Sequence, residues 1–582
     1  MKKYCVDRNY VVRTDKSSRT TLVYKCNNPT PCNWRIRAIV SEKTDAWKIT
    51  KTSGPHTCLR VNVSQDHLNL DAGYMASELQ GIIAKDASTK IKVLQEMMSK
   101  LANGYQPSYH KTWAAKQKVI GRIHGDWDDS HETLPRFLRA IEDANPGSVC
   151  VTINTPSGIE GCVTFDRVFW AFGPSIEGFK HCRPVVSVDG TFLTGRYKGT
   201  MLIAVSQDPE NQIFPLAFAI VEKEDKNNWG WFLDCLRLLV IGTDRQGLSL
   251  ISDRHAGILS YLDDQHSYYW RPPYAEHRFC LRHFGANFHK RYTKQVGDEV
   301  KWTAMEGQRH KFKTSLEKLR RFANEEVYKE LIALDKKKWT FAYDGGKRFG
   351  TQTTNCSESF NGILKEARHL PIMATVMCTF YKCVEFFNDR WQHATKDKTA
   401  GNDFSGYARA KYNLWKDKAV KHRVTVFNRE DGLYEVLTPV HPFNPYKGQR
   451  KHKVDLARRT CTCNKLQLWK IPCSHVIAVC NLMRLDPRSY FSKYWTVDVS
   501  LKMYGSKTFR PVRDQPYWLP YNGQRILPNR DRLRGKGRPK VTRIRNEMDE
   551  WVESRPAQTC GLCGQQGHNR RSCGRVGGPS TS

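Results

Sequence analysis

Nine of the 19 cysteines in this 582-residue chain fall into three short clusters that each also hold a histidine, and no other feature restricts the fold as much. Cys461-Thr-Cys463 is followed, after nine residues, by Cys473-Ser-His475. Two close ligand pairs that close one loop meet the tetrahedral Cys3His demand of structural zinc. Cys560-x2-Cys563-x4-His568-x4-Cys573 has the spacing of a CCHC zinc knuckle, and Gly564 and Gly567 permit its tight turns. A segment this short has no core, so metal binding and folding there are one event. Cys26-x5-Cys32 and His56-x-Cys58 form a third set, with 23 residues between the pairs. Its spacing alone is a weaker signal, but strands in the gap would bring the pairs together across a small sheet.

The chain has 93 Lys and Arg against 58 Asp and Glu, a formal charge of +35. Such a surface suits a polyanion, because each neutralised phosphate releases counterions; an acidic membrane surface competes for that role. No apolar run approaches ~18 residues and the N-terminus is not signal-like, which argues against membrane insertion and secretion. Without an export route the cysteines read as metal ligands and buried thiols rather than disulfides. The length calls for several domains.

Leu22–Cys26, Trp34–Val40 and Trp47–Lys51 are rich in β-branched and aromatic residues and read as strands. Ala76–Lys85, Ile91–Leu101, Trp113–Ile123 and Leu134–Ala144 carry helical periodicity, which Asn145-Pro146-Gly147 breaks. Val185–Thr191, Thr200–Ser206 and Phe214–Val221 then read as strands, Trp229–Ile241 as a helix and Leu248–Ser252 as a strand. Three strands, a crossover helix and another strand predict a mixed sheet covered by helices. Residues 285–345 read as charged helices, and a further helix is expected from Ser357 toward Glu366. Beyond Trp391 the pattern is irregular, and 521–558 reads as a basic, disordered linker.

Two strands end in a carboxylate: Val185-Val-Ser-Val-Asp189-Gly and Leu248-Ser-Leu-Ile-Ser-Asp253-Arg. Carboxylates at strand ends lie at the mouth of a sheet, where Mg2+ or Mn2+ can reach their hard oxygens. Alone, each Asp reads first as a strand or loop cap. Thr353-Thr-Asn-Cys-Ser-Glu358-Ser-Phe-Asn361-Gly supplies a third carboxylate. That segment, Asp189-Gly-Thr-Phe-Leu and Ser252-Asp253-Arg-His resemble the three catalytic segments of Mutator-like, MuDR-type plant transposases. Asn228-Trp-Gly-Trp-Phe-Leu resembles the Trp-containing helix between the two aspartates, and Cys280-x2-His283 the Cys-x2-His pair that follows them.

The resemblance implies an α/β, RNase H-like mixed-sheet core with a helical insertion, in which Asp189, Asp253 and Glu358 hold catalytic Mg2+ or Mn2+. Cys280 and His283 are open to a packed role or to a metal or DNA contact. The 461–475 spacing resembles the SWIM zinc finger, whose neighbours Arg458, Arg459, Lys465 and Lys470 would meet phosphate or form a solvated rim. The first cluster resembles the family's N-terminal DNA-binding domain, of WRKY-GCM pattern. Trp34, Arg35 and Arg37 would then lie near the DNA-contacting strand, or else be core and surface. That domain reads as shortened ahead of Cys26. Arg534-Gly-Lys-Gly-Arg538-Pro resembles an AT-hook, and also reads as a nuclear-import or phosphate patch.

The expected plan is a zinc-binding DNA-binding domain at 1–62, a helical DNA-binding or linking region at 70–146, and a transposase core at 180–395 with its insertion at about 285–350. A SWIM finger at 435–485, the linker and a knuckle at 559–575 complete it. The function so implied is a nuclear DNA transposase that binds terminal inverted repeats and cuts and joins phosphodiester bonds, with homo-oligomers on paired ends as its working form. Alternatives are a domesticated, non-catalytic regulator binding promoter sites, and an RNA-binding zinc-knuckle protein. The knuckle would take single-stranded nucleic acid.

Overall fold

Short polar segments with β-branched residues build the N-terminal module of this computed structural model, which describes residues 1–28, 32–58, 66–351, 360–440 and 449–535. Helix α1 (Lys2–Arg8) buries Cys5 and Val6 ahead of an antiparallel meander of β1 (Val12–Ser17), β2 (Thr21–Cys26), β3 (Arg35–Val40) and β4 (Trp47–Ser53). The sequence predicts β2 to β4 and misses α1 and β1. The reason is local: only the first residue of β1 is buried, so its side chains carry no alternation.

Helices α2 (Ala72–Lys85), α3 (Ile91–Leu101) and α4 (Tyr109–His124) pack through Leu79, Ile83, Leu94, Met98, Ala115 and Val119. Asp71 caps α2 by accepting the Gly73 and Tyr74 N–H groups at 3.0 and 2.9 Å. Helix α5 (Asp129–Ala144) leaves this group, because its Leu134, Phe137 and Ile141 stripe packs on the central sheet.

That sheet begins earlier than the sequence suggests, with the hairpin β5 (Val149–Pro156) and β6 (Cys162–Ala171). After the short helix α6 (Gly173–Phe179) come β7 (Val185–Phe192), β8 (Thr200–Gln207), β9 (Ile213–Val221), α7 (Lys226–Cys235), β10 (Leu248–Ser252), α8 (Ala256–Leu262) and β11 (Ala275–Phe279). The strand order is β11-β10-β7-β8-β9-β6, with β7, β8 and β9 antiparallel and β10 and β11 parallel to β7. Both faces are covered, which is why the strands read as nearly continuous apolar runs. Val186, Val188, Leu202 and Ala204 face Trp229, Phe232 and Ile258. Met201, Ile203 and Val205 face Phe360, Leu364 and the long helix Ile372–Thr399.

Helices α9 (Leu281–Arg291), α10 (Lys294–Met305), α11 (Arg309–Phe322) and α12 (Glu325–Ala333) form the insertion around Phe284, Phe288, Phe312 and Trp339. Of the helix expected from Ser357, residues 360–363 are helical and the start lies outside the described residues. A third sheet of β12 (Arg423–Asn428), β13 (Leu433–Thr438), β14 (Arg450–Asp455) and β15 (Thr460–Cys461) backs the helices Gly406–Ala419 and Ser474–Met483.

The linker expected at 521–558 is corrected over its described part. Arg525–Leu527 is a strand, β16, parallel to β6, and Arg532 is buried and bonded to Asp166 at 2.8 Å. Tertiary pairing to the hairpin, not local pattern, orders this basic stretch. Among the described residues no helix is long and apolar enough to cross a membrane.

Candidate active site and metal centres

Parallel pairing sets the carboxylates. Ser249, Leu250 and Ile251 of β10 pair with Val185, Val186 and Ser187 of β7. Carrying that register two residues on sets Asp253 opposite Asp189. Asp189 shares the parity of Ser187, and Asp253 directly follows the last residue of β10, on a neighbouring strand about 4.8 Å away. Asp189 is buried and accepts a hydrogen bond from Asn361 Nδ2 at 2.8 Å. The His255 backbone N–H donates to Asp253 Oδ1 at 3.1 Å. Glu358 lies outside the described residues.

The structure adds a carboxylate that the sequence did not single out. A Cβ on Gly190 would fall 2.7 to 2.9 Å from the Glu224 carboxyl atoms, so this carboxylate lies over β7 on the face opposite Asp189. Only a glycine admits that approach. His255 Nδ1 accepts the Gly257 N–H at 3.1 Å, so the neutral ring carries its proton on Nε2, 3.9 Å from Glu224 Oε2. In sequence, Glu224 stands in the polar run Glu222-Lys-Glu-Asp-Lys226, which reads as solvated. Among the described residues Asp189, Glu224 and Asp253 do not converge as one ligand set; Asp189 and Asp253 supply the hard oxygens that a divalent cation takes. Asn361 Oδ1 supplies another, a buried oxygen with no hydrogen-bond partner among the described residues.

Cys280 is fully buried against Val185 and Ile251, and its N–H donates to Ser252 O at 2.7 Å. His283 is half-buried on α9. The described residues bring no third metal ligand to this pair.

Two Cys3His sets do converge. In each, the four ligand atoms lie within 4.8 Å of one another. Cys26 Sγ stands 3.6 Å from Cys58 Sγ, and His56 Nδ1 stands 3.7 and 3.6 Å from the Cys32 and Cys58 sulfurs. His475 Nδ1 stands 3.5 Å from Cys461 Sγ and 3.9 Å from Cys473 Sγ, with Cys463 completing the set. Tetrahedral bonds of about 2.3 Å separate ligands by about 3.7 Å, so both sets fit zinc. Burial pushes the Cys32 thiol up, but the N–H groups around Trp34, Thr57 and Cys58 outweigh it and bring it down to about 5. Hydrogen bonds from Cys461 and Cys473 hold Cys463 well below its usual range, so a thiolate is prepared there too.

Around the first set, the His56 ring is stacked between Tyr10 at 3.9 Å and Trp34 at 4.3 Å. Trp34 is therefore a buried wall of the metal site. Arg35 and Arg37 point out of β3, with Arg35 3.4 Å from Asp15. Of the second set's basic neighbours, Lys465 lies over the Trp415 ring, Lys470 over Phe349 and Arg459 over Tyr490. Cys560, Cys563, His568, Cys573 and Arg538 lie outside the described residues.

The family model for the MULE transposase domain matches residues 185–287, which include Asp189, Glu224, Asp253, Cys280 and His283. The model for the SWIM zinc finger matches residues 450–483, which include Cys461, Cys463, Cys473 and His475. The chain carries a MULE transposase domain and a SWIM zinc finger. No curated protein matches it. The MULE match begins at β7 and ends within α9, so β5, β6 and most of the insertion extend the domain's sheet and its edge. The SWIM finger is not a free appendage. Its Leu468 belongs to the insertion's core, and Asn464 Nδ2 donates to Gly307 O at 2.8 Å. Gln467 O and the Trp469 ring press on Gly346 and Gly350, in the strap 341–351 that leads toward Glu358.

Proposed function

We propose that this transposase or transposase-derived protein binds DNA and cuts and joins its phosphodiester bonds at Asp189, Asp253 and Glu358. The observation that supports the reading is the parallel register of β7 with β10, which, continued two residues past its last pair, would bring Asp253 level with Asp189. An RNase H-like core is part of the proposal. It is supported by the strand order, three antiparallel strands followed by two that run parallel to the first on its other side. When bound, a pair of Mg2+ or Mn2+ ions supplies Lewis acidity to the attacking and leaving oxygens of a phosphodiester. Asp189 and Asp253, with Glu358, would hold them. Asn361 fixes the Asp189 carboxylate and the His255 N–H fixes that of Asp253, so both are oriented before substrate arrives.

The N-terminal module, through Arg35 and Arg37, and the knuckle would add contacts to DNA, and the protein would work in the nucleus. The test uses purified full-length protein, labelled duplex DNA carrying the element's ends, and Mg2+ or Mn2+. Strand nicking or joining is expected, with a loss of at least about a hundredfold in Asp189→Ala or Asp253→Ala. Unchanged activity in both would sink the carboxylate assignment. Tight DNA binding with no cleavage would favour the non-catalytic regulator.

A further inference from the structure

The α2–α4 helical group meets the MULE domain across a cleft of about 450 Å3 lined by Lys90, Lys92, Lys116, Lys365, His369 and Arg534. No carboxylate lines it. Tyr109 and Trp113 form one wall, and Tyr109 is 52% exposed. The first turn of α3 opens here as well, and no side chain caps its N-terminus. Free N–H groups and the helix dipole favour an anion at such an end. Asp86 acts on Lys116 as an offsetting charge, and its Oδ1 already accepts the Ser88 N–H at 2.7 Å.

The cleft is continuous with the carboxylate site along one strand and one short segment. Thr191 shares the sheet face of Asp189, and Arg368 Nη1 donates to its Oγ1 at 2.6 Å. Thr194, on the cleft wall, donates its N–H to Arg368 O at 2.8 Å and bonds His369 Nδ1 at 2.9 Å. Residues 361–369 thus touch Asp189 at one end and line the cleft at the other. Thr194 is five residue steps beyond Asp189, a span of at most about 17 Å. That equals on the order of five nucleotides of one DNA strand.

We infer that this cleft grips the phosphodiester backbone of the substrate DNA that flanks the reacting phosphate, with Tyr109 and Trp113 offering stacking faces where the strand is unpaired. The inference rests on the DNA reading above and deepens it. Lys116 suits the role: it is buried, gives one N–H to Thr89 O at 2.8 Å, and its ammonium is pressed down to about 8 by burial. A neighbouring phosphate would offset that cost. Base–aromatic stacking and backbone charge together are the usual grip on a single strand.

The experiment compares full-length protein with Lys90→Glu/Lys92→Glu/Lys365→Glu, all three exposed, and with Lys313→Glu/Lys318→Glu/Lys502→Glu as a control of equal charge change. Binding is measured by anisotropy across a salt series without divalent metal, so the outcome does not depend on catalysis. The cleft variant should bind flanked DNA at least about tenfold more weakly, with a salt slope shallower by about 2 to 3. The control should lose less than about threefold. An equal loss in the control, or no loss in the cleft variant, would overturn the inference. So would RNA of the same length proving the tighter ligand and the one whose affinity is lost. Lost binding together with absent metal-dependent cleavage in the unmodified protein would instead retire the catalytic reading and keep the cleft. Competition by inorganic phosphate alone, with no dependence on DNA length, would reduce the cleft to an anion site and overturn the strand path.

Discussion

The N-terminal cluster and the SWIM finger gather the same four ligand types at nearly the same separations, yet their surroundings are opposite. All four ligands of the first are half-buried, and all four of the second are buried. Around the first, the buried apolar residues are Cys5, Val12 and Trp34, while Trp47 and Ile49 of β4 stand more than half exposed. Around the second, a continuous core runs through Val436, Val454, Ile477 and Trp495. The difference teaches what each metal would do. A small sheet with so little core needs the metal in place of one. The finger has a core already, and its ligands fix the turn Lys465–Trp469, which is wedged between the insertion and the strap 341–351.

The widest separation between the two should come from removing a ligand in each. Cys473→Ser should cost one zinc and lower the main calorimetric transition of the whole chain, because a structural zinc site contributes on the order of 10 kcal/mol at neutral pH. Cys32→Ser should also cost one zinc but leave that transition in place, with new proteolytic cleavage confined to the first sixty residues. Equal lowering by both substitutions would break the comparison. A step smaller, Trp469→Ala should keep its zinc yet destabilise by roughly 3 kcal/mol, since the ring packs on Phe341 and Gly350. Zinc content unchanged alongside a lowered melting point would show the wedge acting apart from the metal.

Glycines in the two regions sharpen the same point. Gly346 has φ +76° and a Cβ there would fall 2.1 Å from Gln467 O, whereas Gly54 has φ +52° and nothing within 4 Å. Gly54→Ala should therefore cost only the left-handed strain, about 1 kcal/mol. Gly346→Ala adds a backbone clash at the finger and should cost about 2 to 3 kcal/mol. Chemical denaturation of both variants measures the gap, and equal costs would mean the strap moves away freely.

What was legible in the sequence follows from range. Ligand spacing is local chemistry, so Cys461 to His475 could be paired before any fold was known. Apolar runs such as Leu248–Ser252 specify buried strands directly. β11 was hidden because its Glu276 and Arg278 read as surface charge. In the fold they are bonded to one another at 2.6 Å, and Arg278 also meets Asp344 at 3.0 Å. A buried charge so paired erases the alternation that marks a strand. Glu224 was hidden for a related reason: a distant glycine, Gly190, lets it lie over the sheet. The long helix Ile372–Thr399 was missed because its last three turns are mostly polar, with Ala394 the last buried residue.

The smallest expected effect concerns the exposed face of the N-terminal sheet. Arg37 pairs across to Val23 and Lys51 on the neighbouring strands and points to solvent, so it contributes little to folding. Arg37→Ala should change stability by less than about 0.5 kcal/mol. If β3 meets DNA, the same change should weaken binding and reduce the salt slope by about 1. Arg35 is the less informative position, because Asp15 already engages it and also pairs with Lys25 at 2.5 Å. An Arg37→Ala protein with unchanged affinity and slope would leave the N-terminal zinc a purely structural element. DNA affinity would then rest on the cleft and on modules farther along the chain.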